Sequence, residues 1–247
     1  MPHHLLETED VVSDRPDVAA VTDTPLASLF PLGVRAAVFD VVGTLVEPAP
    51  SVPVAYEQSA IRHGVEVSAS QLSSRFAAAW KRQEAIDAAA SPQHVTSRTR
   101  EYERWQGVVS DVFAGIADAG TSENIFQDLW DHFARPTAWR PTAQGPAIVA
   151  AAREAGLEVA LASNFDERLF EVAAVVEPLV QAAHVFPSSE LGWRKPATGF
   201  YRAVEARLGM QPTELVMFGD NRELDVVAAR RAGWHAVLLP LVGLGAV

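Results

Sequence analysis

After Pro141 the chain alternates amphipathic helical stretches with short apolar runs, an order that few folds can satisfy. Helices are expected over 144–155, 166–177, 196–208 and 222–232, and strands over 157–162, 183–186, 214–218 and 235–239. Parallel neighbours need long crossovers of one hand, so helices fall on both faces and the strands become wholly buried. One earlier strand belongs with these. Ala36-Ala37-Val38-Phe39 is an apolar run closed by Asp40 and followed by Gly43-Thr44, the pattern of a buried strand opening into a loop.

Between the two parts, residues 51–138 show helical period only, with helices expected at Ala55 to His63, Ser70 to Ala89, Ser97 to Ala119 and Ser122 to Phe133. The expected fold class is therefore α/β: a parallel-sheet core over 34–50 and 139–247, and an inserted all-helical second domain over 51–138. With 247 residues, 49% of them hydrophobic, the chain can fill one sizeable core and a smaller module. Glu7, Glu9, Asp10, Asp14, Asp17 and Asp23 stand against a single Arg15 in the first thirty residues, so an acidic, disordered tail is expected over 1–33.

Composition removes several function classes. No stretch approaches the roughly 20 apolar residues of a membrane span, and Met1-Pro2-His3-His4 does not open a secretion signal, so a soluble, cytoplasmic protein is expected. A net charge of -11 would repel a phosphate backbone, which argues against nucleic-acid binding. The absence of Cys excludes disulfides, thiolate metal sites and thiol nucleophiles. Lysine occurs only at Lys81 and Lys195, every other basic side chain being arginine.

Open parallel sheets bind ligands beyond the carboxyl ends of their strands. The polar residues just after apolar runs are Asp40, Ser163 with Asn164, Lys195, and Gly219-Asp220, with Asp225 five residues on. Singly, each is an ordinary helix cap or turn residue. Together they make a site: a carboxylate nucleophile needs partial neutralisation, and the group it attacks needs donors for developing oxyanions. Asp40 and Asp220 suit a hard cation such as Mg²⁺, which prefers oxygen ligands. Ser163 and the backbone NH groups of Val41 and Val42 supply donors, and Lys195 a compact positive charge. Asn221 and Asp225 fall near the first helical turn, with Asp225 anchoring Lys195 or a metal-bound water.

Phe39-Asp40-Val41-Val42-Gly43-Thr44-Leu45, Ala162-Ser163-Asn164-Phe165-Asp166, Arg194-Lys195-Pro196 and Gly219-Asp220-Asn221-Arg222-Glu223-Leu224-Asp225 resemble, in order, the four motifs of the haloacid-dehalogenase-like superfamily. The resemblance spans residues 35–239. Arg104 to Val109, Ser163 to Leu169 and Ser189 to Gly192 also resemble the subgroup named for a rhythmically expressed fly gene. The resemblance implies a Rossmann-like core, a helical cap after the first motif, and Mg²⁺-dependent hydrolysis of a small phosphate ester. It implies catalytic roles for Asp40, Thr44, Ser163, Asn164 and Lys195. Substrate oxyanions then meet Val41, Val42, Gly43, Ser163 and Asn164, and the metal is held by Asp40, the Val42 carbonyl, Asp220 and Asp225.

At Val42 the chain departs from the pattern, because family phosphatases carry there a second Asp that protonates the leaving oxygen. Valine transfers no proton, and general acid–base help is worth about 10²- to 10⁴-fold. A cap donor such as His63 or Tyr102, or a good leaving group, would compensate. Carbon–halogen hydrolysis by the same Asp needs no leaving-group proton, but dehalogenases usually carry an aromatic at position 42 and a serine-rich fourth motif. Phosphonate cleavage would need a cap lysine, for which Lys81 is the sole candidate, and a binding or regulatory protein that keeps the fold is the reading from another class.

Elsewhere ordinary packing roles are expected. His63, His94, His132, His184 and His235 show no metal-ligand spacing. Trp80, Trp105, Trp130 and Trp139 pack the cap helices or the cap on the core. Arg98, Arg100 and Arg104 form a solvated helix face or lend an arginine to a substrate anion.

Overall fold

The computed structural model describes residues 26–241. Five parallel strands form the sheet: β1 (Ala36–Phe39), β4 (Glu158–Ser163), β5 (His184–Pro187), β6 (Leu215–Gly219) and β7 (His235–Leu238), ordered β5-β4-β1-β6-β7. The central strand β1 is buried along its whole length, because Ala36 and Val38 face one helical layer while Ala37 and Phe39 face the other. Helices α5 (Gly145–Glu154) and α6 (Leu169–Ala173) serve one face. The other is covered by α7 (Ser188–Leu191), α8 (Thr198–Leu208) and α9 (Ala228–Arg231). Chain order reverses on either side of β1, which opens a crevice beyond its carboxyl end. This is the expected α/β class, a Rossmann-like core with an inserted helical cap.

The cap comprises α1 (Val52–Arg62), α2 (Ala69–Ala89), α3 (Arg98–Phe113) and α4 (Ala119–Ala134) around their own core, which includes Tyr56, Leu72, Val112, Phe113 and Ile125. Ser68, Ser97 and Asp118 each accept a backbone NH in the first turn of α2, α3 and α4, supplying stops and starts that the periodic pattern alone does not mark. Helix α3 accordingly ends at Phe113, short of the expected Ala119. Gly115 takes a left-handed φ of 74° in the turn, and the Asp118 cap starts α4 three residues before Ser122.

Three further differences from expectation have physical causes. A two-stranded antiparallel ribbon, β2 (Val46–Pro48) with β3 (Trp139–Pro141), carries the chain into and out of the cap. Each strand has three residues and one proline, too little for a strand signal. The expected helix over 222–232 divides into a π-helical segment, Arg222–Val227, and the α-helical α9. The acidic part of the expected tail lies outside the described residues. At its end, however, Leu26–Leu29 form a 3₁₀ turn, and Leu26, Leu29 and Phe30 pack against the core.

Among the described residues no helix is long and apolar enough to cross a membrane.

Candidate active site

Strand register delivers the chemistry-bearing side chains to one end of the sheet. Phe39 lies beside Leu161 and Phe218, so the residues just past it, Asp40, Ser163 and Asp220, emerge together. The Asp40 amide continues the ladder by donating to the Phe218 carbonyl at 2.8 Å, which fixes where its carboxylate points. Lys195 Nζ then donates to Asp40 Oδ1 at 2.7 Å and to Asp225 Oδ1 at 2.6 Å. Burial alone would lower the lysine's affinity for its proton, but Asp40 and Asp225 overrule it and hold the ammonium above its ordinary range. Lys195 is the cation of this site.

Oxygens of Asp40, Asp220 and Asp225 lie within 4.8 Å of one another. Burial, then the charge of Asp40, pushes the Asp220 carboxyl up. Asp225 is pushed up to about 6, first by burial and then by Asp40, against the pull of Lys195. Three crowded carboxylates sharing one ammonium are short of positive charge, and all their donors are hard oxygens. That donor set fits a divalent cation such as Mg²⁺.

The acids approach this closely because glycine occupies two positions. A side chain on Gly43, whose φ is +85°, would meet Asp220 Oδ2 at 2.6 Å, and one on Gly219 would meet the Asp225 carboxylate at 2.2 Å.

Thr44 and Asn164 orient other groups. The Thr44 hydroxyl donates to Asp220 Oδ1 at 2.9 Å and accepts the Asp220 NH at 3.0 Å. The Asn164 amide donates to the Lys195 carbonyl at 3.0 Å and accepts the Lys195 NH at 2.7 Å, clamping that loop. Asn221 caps the π-helical turn through Glu223 and Leu224, and its NH donates to Asp225 Oδ2. Ser163 and Val42 border the same cavity as Asp40, while the Val41 side chain is buried in the core.

This cavity, of about 640 Å³, runs from the carboxylates up into the cap. Val42 lines it and is 36% exposed, so the side chain at position 42 faces the cavity that Asp40 also borders. Neither proposed substitute donor does. The Tyr102 hydroxyl accepts Gln127, His63 sits 3.7 Å from Asp128, and neither residue lines the cavity. Lys81 is exposed and also off the cavity.

Of the three cap arginines only Arg98 is solvated, the other two turning inward to acidic partners. Arg104 is buried and bonded to Asp87 and Glu84, Arg100 reaches Asp87 at 2.7 Å, and Arg98 pairs with Glu190. Beside them Arg194, adjacent to Lys195, bonds both oxygens of Glu101 at 2.6 and 2.7 Å. A buried ionic seam thus ties the cap to the loop that carries Lys195. Its partners are up to 93 residues apart, so local pattern could not reveal it. The four tryptophans do pack as expected, and all four also line the cavity.

A family model described as haloacid dehalogenase-like hydrolase matches residues 34–233. Haloacid dehalogenase-like hydrolase domain-containing protein 3 from Bos taurus is 29% identical over 211 residues, covering 84% of this chain and 82% of that protein. Phosphoserine phosphatase from Thermus thermophilus is 34% identical over 129 residues, 49% of this chain and 50% of its own. Among solved structures, a defluorinating L-2-haloacid dehalogenase superposes with TM-score 0.65 at 21% identity, over 84% of this chain and 82% of that one. L-2-haloacid dehalogenase from Xanthobacter autotrophicus gives 0.61 at 19%, over 83% and 77%. At such identities these structures speak to fold alone. With the family model spanning four of the five sheet strands, the cap and all four motifs, the chain belongs to the haloacid dehalogenase-like hydrolase family.

Proposed function

We propose that the protein is a Mg²⁺-dependent phosphatase of small phosphate monoesters, working through an aspartyl-phosphate on Asp40. The observation that carries this reading is the cluster of Asp40, Asp220 and Asp225 around Lys195 in the lining of the cavity beneath the cap. Among the side chains lining it, Asp40, Glu84, Asp166, Asp220, Glu223 and Asp225 outnumber Arg168 and Lys195, and both cations are already ion-paired. A phosphate anion entering this field needs added positive charge, and the acids supply oxygens to hold it.

Asp40, Asp220, Asp225 and the Val42 carbonyl would hold Mg²⁺, which when bound offsets charge on the phosphoryl oxygens. Asp40, its plane set by Lys195, attacks phosphorus in line. The phosphorus–oxygen bond to the alcohol breaks, and the leaving oxygen takes its proton from solvent because Val42 has none to give. Ser163 and the backbone NH groups of Val41 and Val42 donate to the transferring group, whereas the Gly43 NH is taken by the Val46 carbonyl at 2.8 Å and is not free to join them. Water then attacks phosphorus, regenerating the Asp40 carboxylate and releasing phosphate.

Carbon–halogen hydrolysis is the competing reading, favoured by Val42. A haloacid would place its own carboxylate beside Asp40 with both cavity cations already paired, which disfavours it. Assaying para-nitrophenyl phosphate with and without Mg²⁺, alongside 2-haloacids, separates the two. Mg²⁺-dependent phosphate release is expected, and halide release without metal would reverse the choice.

Cation binding should also be linked to pH. Asp225 moves from an ordinary 3.8 to about 6 on folding, so between these values the folded state keeps a proton that the unfolded state has released. Its contribution to stability is full below the lower value and lost as pH rises through the higher, where the Asp225 carboxyl ionises. Protons compete with the metal for these oxygens. Thermal denaturation should therefore show a larger Mg²⁺-induced rise in Tm near pH 7.5 than near pH 5, and an equal rise at both would contradict a carboxylate metal site.

A further inference from the structure

Resting on the phosphatase reading for the reacting end only, we propose that the organic part of the substrate is an uncharged aromatic body seated against the cap aromatics. The polar side chains of the cavity gather mainly around Asp40, Ser163, Lys195 and Asp220, with Glu84 and the Asp166–Arg168 pair as the charged groups elsewhere in its lining. Its far wall is formed by Phe76, Trp80, Trp105, Trp130, Phe133 and Trp139, from three cap helices and β3. All six rings are only partly covered by protein, although they pack against one another at centroid separations of 5.5 to 6.1 Å where they meet. Half-buried rings around one cavity leave apolar surface in contact with water, and a ring entering the cavity removes it.

The charged side chains beside this wall already carry ion-pair partners. Arg168 gives Asp166 two bonds of 2.7 Å and Trp130 its carbonyl bond of 2.9 Å, while its guanidinium lies 3.6 Å from the Trp130 ring centroid. Glu84 is committed to Arg104. A phosphoamino acid would set its carboxylate against the negative faces of the rings, and a sugar phosphate would bury hydroxyls without partners. At about 640 Å³ the cavity exceeds what a phosphate alone fills and lies in the range that holds drug-sized ligands. Val42 fits the same picture, placing an apolar side chain rather than a carboxylate where the ester oxygen enters the aromatic end.

Non-hydrolysable phosphonates test this without turnover. Intrinsic tryptophan fluorescence and calorimetry with Mg²⁺ present would compare benzylphosphonate, methylphosphonate, 2-amino-3-phosphonopropionate and benzyl alcohol. Benzylphosphonate should bind about 10- to 100-fold tighter than methylphosphonate, the factor expected for burying one aromatic ring. Trp80→Ala should remove most of that preference, and Trp80→Leu, which keeps apolar volume, part of it. Equal affinity for the two phosphonates, or tighter binding of 2-amino-3-phosphonopropionate, would overturn the inference while leaving the phosphatase reading standing. If benzyl alcohol binds in a Trp80-dependent way but no phosphonate does, the phosphatase reading fails and the aromatic site remains.

Discussion

Asp40→Asn should lower kcat by about 10⁴-fold or more, because an amide cannot attack phosphorus and nothing else in the crevice is placed to replace it. The fold should survive. Asn is isosteric, Lys195 keeps its 2.6 Å bond to Asp225, and loss of the Asp40 charge relieves a repulsion that now raises both Asp220 and Asp225. Against that relief stands the loss of the Asp40 charge opposite buried Lys195, so the variant should stay folded and melt close to the wild-type temperature while its turnover disappears. Steady-state kinetics with an aryl phosphate, beside a thermal melt of the same preparation, checks both halves. Activity within about tenfold of wild type in the folded variant would remove Asp40 from the nucleophile's role.

Val42→Asp should act in the opposite direction and selectively. Wild type is expected to depend steeply on leaving-group acidity, since an aryl oxide leaves as a fairly stable anion and an alkoxide needs a proton. Position 42 already faces the cavity and is partly exposed, so a carboxylate there is hydrated and adds little strain. It does add another acid to a cavity already rich in them, so its benefit should require saturating Mg²⁺. The expected gain for alkyl esters is up to about 10²-fold in kcat/KM, the low end of general-acid effects because nothing around it is tuned for the task. Aryl esters should gain far less. Benzyl phosphate is the informative substrate, being aromatic in body but alkyl in leaving group. No gain on it in a folded variant would mean that the missing carboxylate does not limit turnover.

Much of the core was legible because its signals are local. The run Ala36 to Phe39 closed by Asp40, and Leu215 to Gly219 followed by Asp220, mark strand ends by themselves, and the parallel-sheet rule then brings those ends together. Lys195, one of only two lysines in the sequence, lies between Asp40 and Asp225. What stayed hidden depends on long-range partners. Arg104 looks solvated on the periodic pattern of α3, yet Asp87 and Glu84 on α2 draw it inside. The ribbon of Val46–Pro48 with Trp139–Pro141 needs two segments that sequence separates by the whole cap. The tryptophans read as packing residues because a ring that packs and a ring that lines a cavity leave the same periodic trace.

Catalysis through an aspartyl-phosphate requires that Asp40 take the phosphoryl group. Wild-type protein mixed with Mg²⁺ and para-nitrophenyl phosphate, quenched in acid during turnover and digested at low pH, should yield a peptide containing Asp40 heavier by one phosphoryl group. Hydroxylamine should remove that mass, and Asp40→Asn should never acquire it. Phosphate release with Asp40 unmodified at every quench time, or modification of a different side chain, would contradict the account.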